Sequence, residues 1–496
     1  MSGAGPLSPP RTLLDVLLSA VERAPDQVIV QVAGDGSEQE LRFSELLAES
    51  LRVAGGLRAA RLQPGSPVIV LPGGAFDLPG FWGAIAAGLV PVPLAPAPDK
   101  VLAVWAHLDR PPIVVGAELA RLAAQLPGAG FAEGPRLLTL AELREAEPLR
   151  DLHQPKPDDI AFLQFSSGST GAPKGVELSS ANLLANLHQT RTAGAARASD
   201  VVASWLPYFH DMGLIGAHLT PLSVGMKQVK LEASDFGKRP ALWYETAARH
   251  SATLLPMASF ALALTLKRVS TEQVTALDLS AVRLVGVGAE PIPVATARRF
   301  VEHLRPAGLR PSALVPVYGL AEATLAVAFP PLGEVARPLR LERRALAAGL
   351  AVDVAADPAH VADPALPTDQ DGEPAEFFDV GYAVVGGELR VVDDHGAVLP
   401  DSALGQIEFR GPNVACGYHR QPVETGAAFA DGWLRTGDVG FLRAGRLCVT
   451  GRSKDVVFVH GQKFHAHDLE QVVASSPDVP SGRVAVVGLT EPTSGV

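Results

Sequence analysis

Cysteine is scarce in this chain, which has two among 496 residues, Cys416 and Cys448. They lie far apart without neighbouring residues at metal-ligand spacing, so the sequence excludes a disulfide framework and a cysteine-based metal cluster. A protein without disulfides suits a reducing compartment, and we expect a cytoplasmic location.

Positive charge is also in short supply. The chain has 42 Lys and Arg residues against 53 Asp and Glu residues, which gives a net charge of −11. Because nucleic-acid-binding proteins favour a basic surface, nucleic acid is not an expected partner.

Long apolar runs are absent too. The most membrane-like stretch, GFWGAIAAGLV at 80–90, is followed by Pro91 and Pro93, and it is shorter than the ~20 apolar residues that a membrane span needs. The first residues, MSGAGPLSPPRT, lack the basic segment and apolar core of a signal peptide. We therefore expect no membrane span.

The composition that remains favours large buried cores. Hydrophobic residues make up 47% of the chain, and at this length we expect more than one domain. Short apolar runs alternate with amphipathic stretches, which predicts an α/β fold of stacked layers. The predicted strands include 28–32, 160–165, 201–205, 252–255, 282–287 and 314–317, and the predicted helices include 12–24, 43–60 and 240–250.

The alternation fails between Phe329 and Phe377. There, LERRALAAGLA at 341–351 predicts a short helix and DPALPTDQDGEP at 363–374 an exposed loop. From Glu388 onward, the runs LRVVD, GQIEFRG and RLCVTG are typical of short strands separated by turns. They predict a small β-rich subdomain.

The segment Ser166–Gly175, SSGSTGAPKG, has the composition of a phosphate-binding loop. Glycines let backbone N–H groups point into one concavity, hydroxyl groups add donors, and a lysine adds positive charge. The candidate ligands are Ser166, Ser167, Gly168, Ser169, Thr170, Gly171 and Lys174. Pro173 and Gly175 flank the lysine and prevent a helix from starting there, so this is not the P-loop motif. A flexible Ser/Gly loop is the alternative interpretation.

Four further motifs follow in order: VYGLAEAT at 317–324, WLRTGD at 433–438, TGRSKD at 450–455 and GQKFHAHDLE at 461–470. Together with the 166–175 loop, they resemble the motifs of adenylate-forming enzymes, the superfamily of acyl- and aryl-CoA synthetases, adenylation domains of peptide synthetases, and luciferases. The resemblance covers nearly the whole chain.

Three details resemble the fatty acyl-AMP ligases of that superfamily, which hand an acyl adenylate to a carrier protein instead of coenzyme A. They are LPYFHDMGL at 206–214, Ala321 before Glu322, and the long segment 326–379, which is similar to an insertion in these ligases. GQKFHAHDLE is also similar to one of their segments, but departs from it at Gln462, Lys463, His465, Ala466 and His467.

This resemblance implies a ligase that uses ATP and Mg²⁺ to convert a fatty acid to an acyl adenylate, releases pyrophosphate and serves an acyl carrier protein. It implies phosphate contacts from the 166–174 loop and Mg²⁺ binding by Glu322. The implied adenine and ribose contacts are Gly288, Ala289, Glu290, Pro291, Tyr318, Gly319, Asp438 and Arg452. Simpler interpretations stay open: Asp438 as a turn cap, Tyr318 as a core aromatic, and Arg452 as a solvated surface residue.

The fatty acid itself is expected near His210 and Asp211. A carboxylate is already ionised at pH 7, so adenylation needs no general base. We therefore interpret His210 as a hydrogen-bond donor to the acyl carboxylate or α-phosphate, with Asp211 orienting it or capping the next helix. Helical spacing of apolar residues predicts an acyl tunnel, with core packing as the alternative. The tunnel candidates are Trp205, Met212, Ile215, Leu219, Met257, Phe260 and Leu264.

The resemblance also divides the chain. It implies an adenylate-forming N-terminal domain at 1–451, which contains the insertion at 326–379 and the β-rich subdomain at 381–451. It also implies the start of a C-terminal lid at 452–496, with Lys454 at the hinge. The family's lid carries a catalytic lysine later than any residue here, so we expect a fragment of a longer protein with impaired adenylation.

A CoA ligase and a non-catalytic acyl-adenylate binder are the alternative functions. A zinc site at His460, His465 and His467 is disfavoured because no cysteine or acidic residues complete the ligand set.

Overall fold

A computed structural model describes residues 9–116, 136–166, 173–354, 374–453, 456–459 and 462–465. In these ranges the α-helices are α1 (Leu13–Arg23), α2 (Phe43–Ala59), α3 (Leu78–Ala86), α4 (Pro98–His107), α5 (Leu140–Arg144), α6 (Ser180–Ala193), α7 (Thr220–Val224), α8 (Ala233–Lys238), α9 (Pro240–Arg249), α10 (Phe260–Arg268), α11 (Thr271–Thr275), α12 (Val294–Leu304), α13 (Arg343–Ala347) and α14 (Pro422–Ala428). A π-helix spans Met212–Leu219.

The strands are β1 (Val28–Val32), β2 (Glu38–Arg42), β3 (Pro67–Leu71), β4 (Val90–Pro93), β5 (Ile113–Val115), β6 (Leu137–Thr139), β7 (Ile160–Ser166), β8 (Lys174–Ser179), β9 (Val201–Ser204), β10 (Lys227–Leu231), β11 (Met257–Ala258), β12 (Val285–Gly288), β13 (Leu314–Pro316), β14 (Tyr318–Gly319), β15 (Ala326–Phe329), β16 (Pro338–Leu341), β17 (Ala375–Phe378), β18 (Tyr382–Ala383), β19 (Glu388–Val392), β20 (Gly405–Arg410), β21 (Gly417–Tyr418), β22 (Phe429–Ala430), β23 (Trp433–Arg443), β24 (Arg446–Arg452), β25 (Val456–Val459) and β26 (Gln462–His465).

A long sheet forms the centre of the molecule. Strands β2-β1-β10-β9 and β11-β12-β13 are hydrogen-bonded in these orders, and parallel bridges from Val202 to Leu254 and from Leu254 to Leu284 join the two groups. All the pairs except β1–β2 are parallel, so their carboxyl ends share one edge. Ligands of open α/β sheets bind beyond this edge.

Two smaller assemblies flank the long sheet. Strands β4-β3-β5-β6 form a parallel sheet near the N-terminus, and β19-β20-β23-β22, with β24 paired to β23, form an antiparallel one. The three assemblies have separate hydrophobic cores, and a further core joins α1, α2 and α3. This confirms the predicted α/β class and the predicted β-rich region after Glu388.

Local signals account for the element boundaries. Helix α1 begins after Thr12, whose hydroxyl accepts from the Asp15 backbone while the Asp15 carboxylate accepts from the Thr12 backbone, a capping box. Ser179 caps α6 in the same way with Asn182. Two strand predictions were less accurate: 282–287 forms a strand only from Val285, and 252–255 contributes only isolated bridges at Leu254.

The predicted helix within LERRALAAGLA is present as α13. Strands β16 and β17 pair around it, whereas Ala326–Phe329 pairs with β14 and β18 and so belongs to a different sheet. Of the predicted exposed loop at 363–374, all but Pro374 lies outside the described residues. No helix in the described part of the chain is long and apolar enough to span a bilayer.

A buried amide network connects α6 to the segments around β15. Asn413 Nδ2 donates to the carbonyls of Ala323 (2.8 Å) and Ala326 (3.0 Å), and its Oδ1 accepts from Gln189 Nε2 at 3.1 Å. Asn186 Nδ2 donates to Gln189 Oε1 and to Ala326 O, while its Oδ1 accepts from Ala326 N. Asn186 and Asn413 have no exposed surface, so each partner that is removed takes away a buried hydrogen bond that water cannot replace.

We expect Asn413→Ala to lower the free energy of unfolding by ~2 to 4 kcal/mol, because two backbone carbonyls and one glutamine amide each lose a hydrogen bond in the core. Urea unfolding followed by circular dichroism measures this change. Gln63→Ala removes an exposed amide that bonds only to Arg61 O and is the matched control. Equal stability of the two variants would contradict the assigned role of the network.

Candidate active-site cleft

A cleft of about 1700 Å³ lies at the carboxyl edge of the long sheet, against the β-rich region. Residues from distant motifs meet on its walls, among them Lys174, His210, Asp211, Met212, Gly288, Ala289, Glu290, Pro291, Tyr318, Gly319, Glu322, Asp438 and Arg452. Most of the predicted site residues that the structure describes are therefore brought together. Ser167, Gly168, Ser169, Thr170, Gly171 and Lys454 lie outside the described residues, as does the side chain of Ser166.

The phosphate-loop lysine is held on a strand. Strands β7 and β8 are antiparallel, with Ser166 opposite Lys174, so residues 167–173 connect two paired strands. The chain continues after Lys174 as a strand and not as a helix, which confirms the distinction from a P-loop. The Lys174 ammonium group lies 4.7 Å from the centre of the Tyr418 ring, where a cation–π contact directs it.

Tyr318 and Asp438 form a hydrogen-bonded pair on the cleft wall. The Tyr318 hydroxyl donates to Asp438 Oδ2 at 2.5 Å, and Arg452 Nε lies 3.3 Å from Asp438 Oδ1. Burial raises the pKa of Asp438, hydrogen bonds from Tyr318 and Arg452 oppose this, and the charge of Glu322 adds to the net upward shift. Burial and the Asp438 charge raise the pKa of Tyr318 well above its usual value. Tyr318 is therefore the donor and Asp438 the acceptor.

Glu322 projects from a tight turn. Thr324 has φ 65° and ψ −57°, and the Leu325 N–H donates to Ala323 O at 2.7 Å, which is the rare classic γ-turn. A left-handed β-branched residue is strained, and the bond from Thr324 Oγ1 to Asn413 O (2.7 Å) holds it in place. The turn points the Glu322 carboxylate toward Tyr418, whose hydroxyl donates to Oε1 at 2.8 Å.

The donor set fits Mg²⁺ when it arrives with nucleotide phosphates. The described residues contain no group of three or more His, Cys, Asp or Glu side chains that would hold a metal alone. Mg²⁺ is commonly bound by one or two carboxylates plus substrate phosphates and water. Glu322 faces the same cleft as Lys174, and its carboxylate is available for that role.

His210 lies at the mouth of the cleft with 45% of its side chain exposed, and its Nδ1 is 2.9 Å from Asp211 Oδ1. Nδ1 also lies 3.2 Å from the Met212 backbone N, so both neighbours hold this side of the ring and Nε2 is left for a ligand. Burial lowers the pKa of His210, but the hydrogen bond and charge of Asp211 and the charge of Glu290 outweigh it, so the pKa is raised. Asp211 also caps the π-helix by accepting from Met212 N at 2.6 Å. Both predicted roles of Asp211 are therefore present.

The Gly288–Pro291 segment forms the wall after β12. Ala289 has a positive φ of 69°, a sparsely populated conformation that turns the chain along the cleft. Ser259 Oγ lies 3.1 Å from Glu290 Oε2 and 2.9 Å from Pro291 O. An added Cβ on Gly319 would be 1.9 Å from Leu325 O, so the backbone beside Tyr318 packs directly on the turn that follows Glu322.

An apolar arm extends the cleft along the long sheet. On the sheet side the arm is lined by every second residue of one strand, namely Leu284, Gly286 and Gly288. On the helix side it is lined by residues four apart, namely Met212, Gly216 and Thr220. Gly216 and Gly288 lie close to other parts of the protein, since an added Cβ would be 3.2 Å from Leu325 Cδ2 at Gly216 and 2.9 Å from Val317 O at Gly288. The segment from Leu284 to Gly288 spans ~13 Å. At its Leu284 end, Val202, Leu254 and Leu284 lie side by side and are joined by parallel β-bridges.

Among the seven residues predicted for an acyl tunnel, Met212 alone lines the cleft. Trp205 stacks on Phe236 with ring centres 4.3 Å apart, and Trp205 and Met257 are buried in the core beneath the cleft. Ile215 and Leu219 belong to the core with α1–α3. Phe260 is 49% exposed, and Leu264 packs against the core that contains Trp205. Helical spacing identified apolar faces, but these faces pack on protein.

Sequence reasoning missed two residues that shape the site. Tyr418 contacts both Lys174 and Glu322. Lys230 is buried, donates to Leu206 O and lies 4.5 Å from the Tyr208 ring, so it supports the loop before His210. Burial lowers the pKa of Lys230 to about 8. The sequence signal that could have identified Lys230 is a lysine within the buried strand KQVKL.

Comparison with known proteins supports the identification. The family model described as "AMP-binding enzyme" matches residues 17–419. The long-chain-fatty-acid–AMP ligase FadD26 of Mycobacterium marinum is 33% identical over 489 residues, with 92% of this chain and 80% of that protein covered. A putative acyl-CoA synthetase of Caulobacter vibrioides is 35% identical over 453 residues, covering 87% of this chain and 75% of that protein.

Solved structures agree with these relatives. A structure from a study of fatty acyl-adenylate ligases from E. coli and L. pneumophila has a TM-score of 0.87 at 29% identity and covers 96% of this chain and 84% of its own. The L. pneumophila fatty acyl-adenylate ligase in complex with acyl adenylate and pyrophosphate has a TM-score of 0.80 at 29% identity, covering 94% and 82%. With the family match across most of the chain, they establish that this protein belongs to the AMP-binding enzyme family, as its motifs predicted.

Proposed function

We propose that this protein activates a fatty acid by adenylation. The fatty carboxylate attacks the α-phosphorus of ATP, the α–β phosphoanhydride bond breaks, and acyl adenylate and pyrophosphate form. The observation that carries this proposal is the joining of an ionic cleft, with Lys174, His210, Glu322 and Asp438, to an apolar arm. Relatives named as fatty-acid–AMP ligases support the same substrate class.

The nucleotide binds across the β-rich side of the cleft. The Ser166–Lys174 loop holds the β- and γ-phosphates, with Lys174 directed by the Tyr418 ring. Asp438 accepts hydrogen bonds from the ribose hydroxyls, and Arg452 beside it contacts the ribose or a phosphate. Adenine lies between Tyr318 and the Gly288–Pro291 wall.

Phosphate charge is neutralised at the centre of the cleft. Glu322 would hold Mg²⁺ against the phosphates, where the ion offsets the negative charge that moves toward pyrophosphate. Tyr418 orients the Glu322 carboxylate through a 2.8 Å hydrogen bond. The strained turn at Thr324 fixes that carboxylate before any ligand arrives, so little reorganisation accompanies binding.

The acyl group enters from the opposite side. His210 Nε2 donates to the fatty carboxylate, with Asp211 holding the ring through Nδ1. The hydrocarbon chain follows the arm between Gly286 and Gly216, where it leaves water. Burial of each methylene contributes ~0.8 kcal/mol, so the affinity for a fatty acid depends on how much of its chain this arm accommodates.

The acyl acceptor is a carrier protein. Helix α13 lies next to the lid strand β26, while strand β17 packs on α12, where Glu376 pairs with Arg298 (3.6 Å) and Arg340 (3.4 Å). The insertion therefore contacts both the main domain and the start of the lid. Such a wedge restricts rotation about the Lys454 hinge and disfavours the state that coenzyme A requires.

Transfer to coenzyme A is the second candidate. The relative from Caulobacter vibrioides carries the name of a putative acyl-CoA synthetase, and a Mycobacterium tuberculosis relative, 30% identical, that of a putative fatty-acid–CoA ligase. Both candidates share the adenylation step and differ only in the thiol that receives the acyl group.

Asp438→Ala should weaken binding of a non-hydrolysable acyl-adenylate analogue by ~1.5 to 3 kcal/mol, because a buried charged acceptor for the ribose is lost. Isothermal titration calorimetry measures the difference. Asp151→Ala, at an exposed position, is the control and should bind like wild type. If Asp438→Ala also binds like wild type, Asp438 does not contact the ribose.

His210→Ala should lower kcat/KM for the fatty acid by ~10-fold or more, since a charge-assisted hydrogen bond to the carboxylate is lost. The raised pKa keeps wild-type His210 cationic to higher pH than a free histidine. Wild-type kcat/KM should therefore fall as pH rises through that pKa, and Asp211→Asn should move this decline to lower pH.

Pyrophosphate release across a pH series tests this assignment. His188→Ala alters an exposed histidine on α6 and should leave the profile unchanged. An alkaline decline that persists unaltered in His210→Ala would assign the titration to another group.

Shortening the insertion within Pro330–Asp379 while keeping β16 and β17 should increase acyl-CoA formation, with adenylate formation unchanged. Wild type should load the phosphopantetheine of a carrier protein and form little acyl-CoA. Radiolabelled fatty acid with ATP, Mg²⁺ and either thiol, followed by chromatography, measures each product. Wild-type acyl-CoA formation as fast as carrier loading would place the protein with the CoA ligases.

A further inference from the structure

The deep end of the apolar arm is closed by a surface loop. Gly194 and Ala196, between α6 and β9, line the cavity there. A Cβ placed on Gly194 would lie 4.0 Å from Leu284 Cδ1, so the loop meets the last residue of the sheet wall. Ala195 and residues 197–199 are exposed. The wall at this point is therefore one loop thick.

An ion pair fastens this loop to the sheet. Arg283 Nε and Nη2 donate to Asp200 Oδ1 (3.0 Å) and Oδ2 (2.6 Å), a bidentate geometry. The same guanidinium donates through Nη1 to Gly194 O at 2.8 Å and through Nη2 to Ala195 O at 3.1 Å. Arg283 directly precedes Leu284, so one residue holds the loop against the arm.

The carboxylate of this pair is itself firmly held. Asp200 is 5% exposed, and it accepts from Thr253 Oγ1 at 2.8 Å and from Arg197 N at 2.8 Å. Burial raises the pKa of Asp200, but hydrogen bonds from Arg283 and Thr253 outweigh this and lower it. Both partners are thus charged at neutral pH.

The pair adds to the bonds that hold this loop. Ala195 has φ 43°, a conformation that disfavours residues with a Cβ. Backbone bonds from Ala195 N to Thr192 O (3.1 Å) and from Ala196 N to Arg191 O (2.8 Å) tie the start of the loop to α6, and the Arg283 guanidinium ties the carbonyls of Gly194 and Ala195 to the sheet. A strained backbone persists only where its surroundings determine it, and Arg283 is the part of those surroundings that belongs to the arm.

We propose that the Asp200–Arg283 pair determines the longest acyl chain that the enzyme accepts, by holding the 194–199 loop as the end wall of the arm. This inference rests on the proposed adenylation of fatty acids. Arg283 and Asp200 are positioning residues, because they act through Gly194 and Ala196 and do not contact the substrate. A chain longer than the arm must displace the loop, which the pair resists.

The test compares kcat/KM for a series of saturated fatty acids of increasing length, measured by pyrophosphate release. In wild type, kcat/KM should fall by at least ~10-fold beyond a limiting length. The double variant Asp200→Asn with Arg283→Gln removes both charges, so neither is left buried and unpaired. It should raise kcat/KM by ~10-fold for acids beyond that limit, through KM, and leave shorter acids within ~2-fold.

A second variant tests the wall with the ion pair intact. Ala196→Leu fills the deep end and should move the limit to shorter acids. The control variant, Arg239→Gln with Glu245→Gln, removes an ion pair of 2.6 Å between the residue before α9 and a residue of α9, away from the arm. It should keep the wild-type length profile.

Unchanged length profiles in both arm variants, a uniform loss for all acids, or a wild type without any length limit would each overturn the inference. Absence of pyrophosphate release by wild type with every fatty acid would instead overturn the proposed function. If the double variant does not fold, the Ala196→Leu profile decides.

Discussion

The hydrogen-bonding requirement of three buried amides connects the parts of this molecule. Asn186, Gln189 and Asn413 come from α6 and from the segment before β21, and they bond to one another and to the backbone around β15. Buried amides without partners are costly, so these segments have one mutual arrangement. The turn that carries Glu322 is part of it through Thr324 and Asn413. The position of the Glu322 carboxylate thus follows from core packing.

The cleft combines charges that would be unfavourable separately. Asp438 is buried beside Glu322, and each carboxylate accepts from a tyrosine hydroxyl, Tyr318 or Tyr418. Arg452 and Lys174 contribute positive charge on the same walls. The tyrosines donate without adding net charge, so they hold the two carboxylates in place and leave Lys174 and Arg452 to balance the negative charge.

Motif residues could be predicted from the sequence because their chemistry needs particular residue types at fixed spacing. Gly319, Glu322 and Asp438 stand in short segments where few other residues would serve, and the structure brings them to one cleft. The α/β class followed from alternating apolar runs of strand and helix length. The capping boxes at Thr12 and Ser179 were equally local signals.

The acyl arm was harder to predict, for a physical reason. Large apolar residues such as Trp205 and Met257 are the usual sign of apolar surroundings, but they fill space and so become core. The arm is lined by small residues such as Gly216 and Gly286, and glycines are also common in turns. The sequence does not reveal which glycines line a cavity.

The bonds that Asp438 makes within the protein bear on the proposed nucleotide contact. The carboxylate has a donor at 2.5 Å and a guanidinium at 3.3 Å, so this buried charge has partners of its own. A ribose that binds Asp438, as proposed, would share or replace these bonds. Nucleotide affinity would then reflect an exchange of partners and not the full strength of each new contact, which would favour ready release of product from a deep and highly charged site.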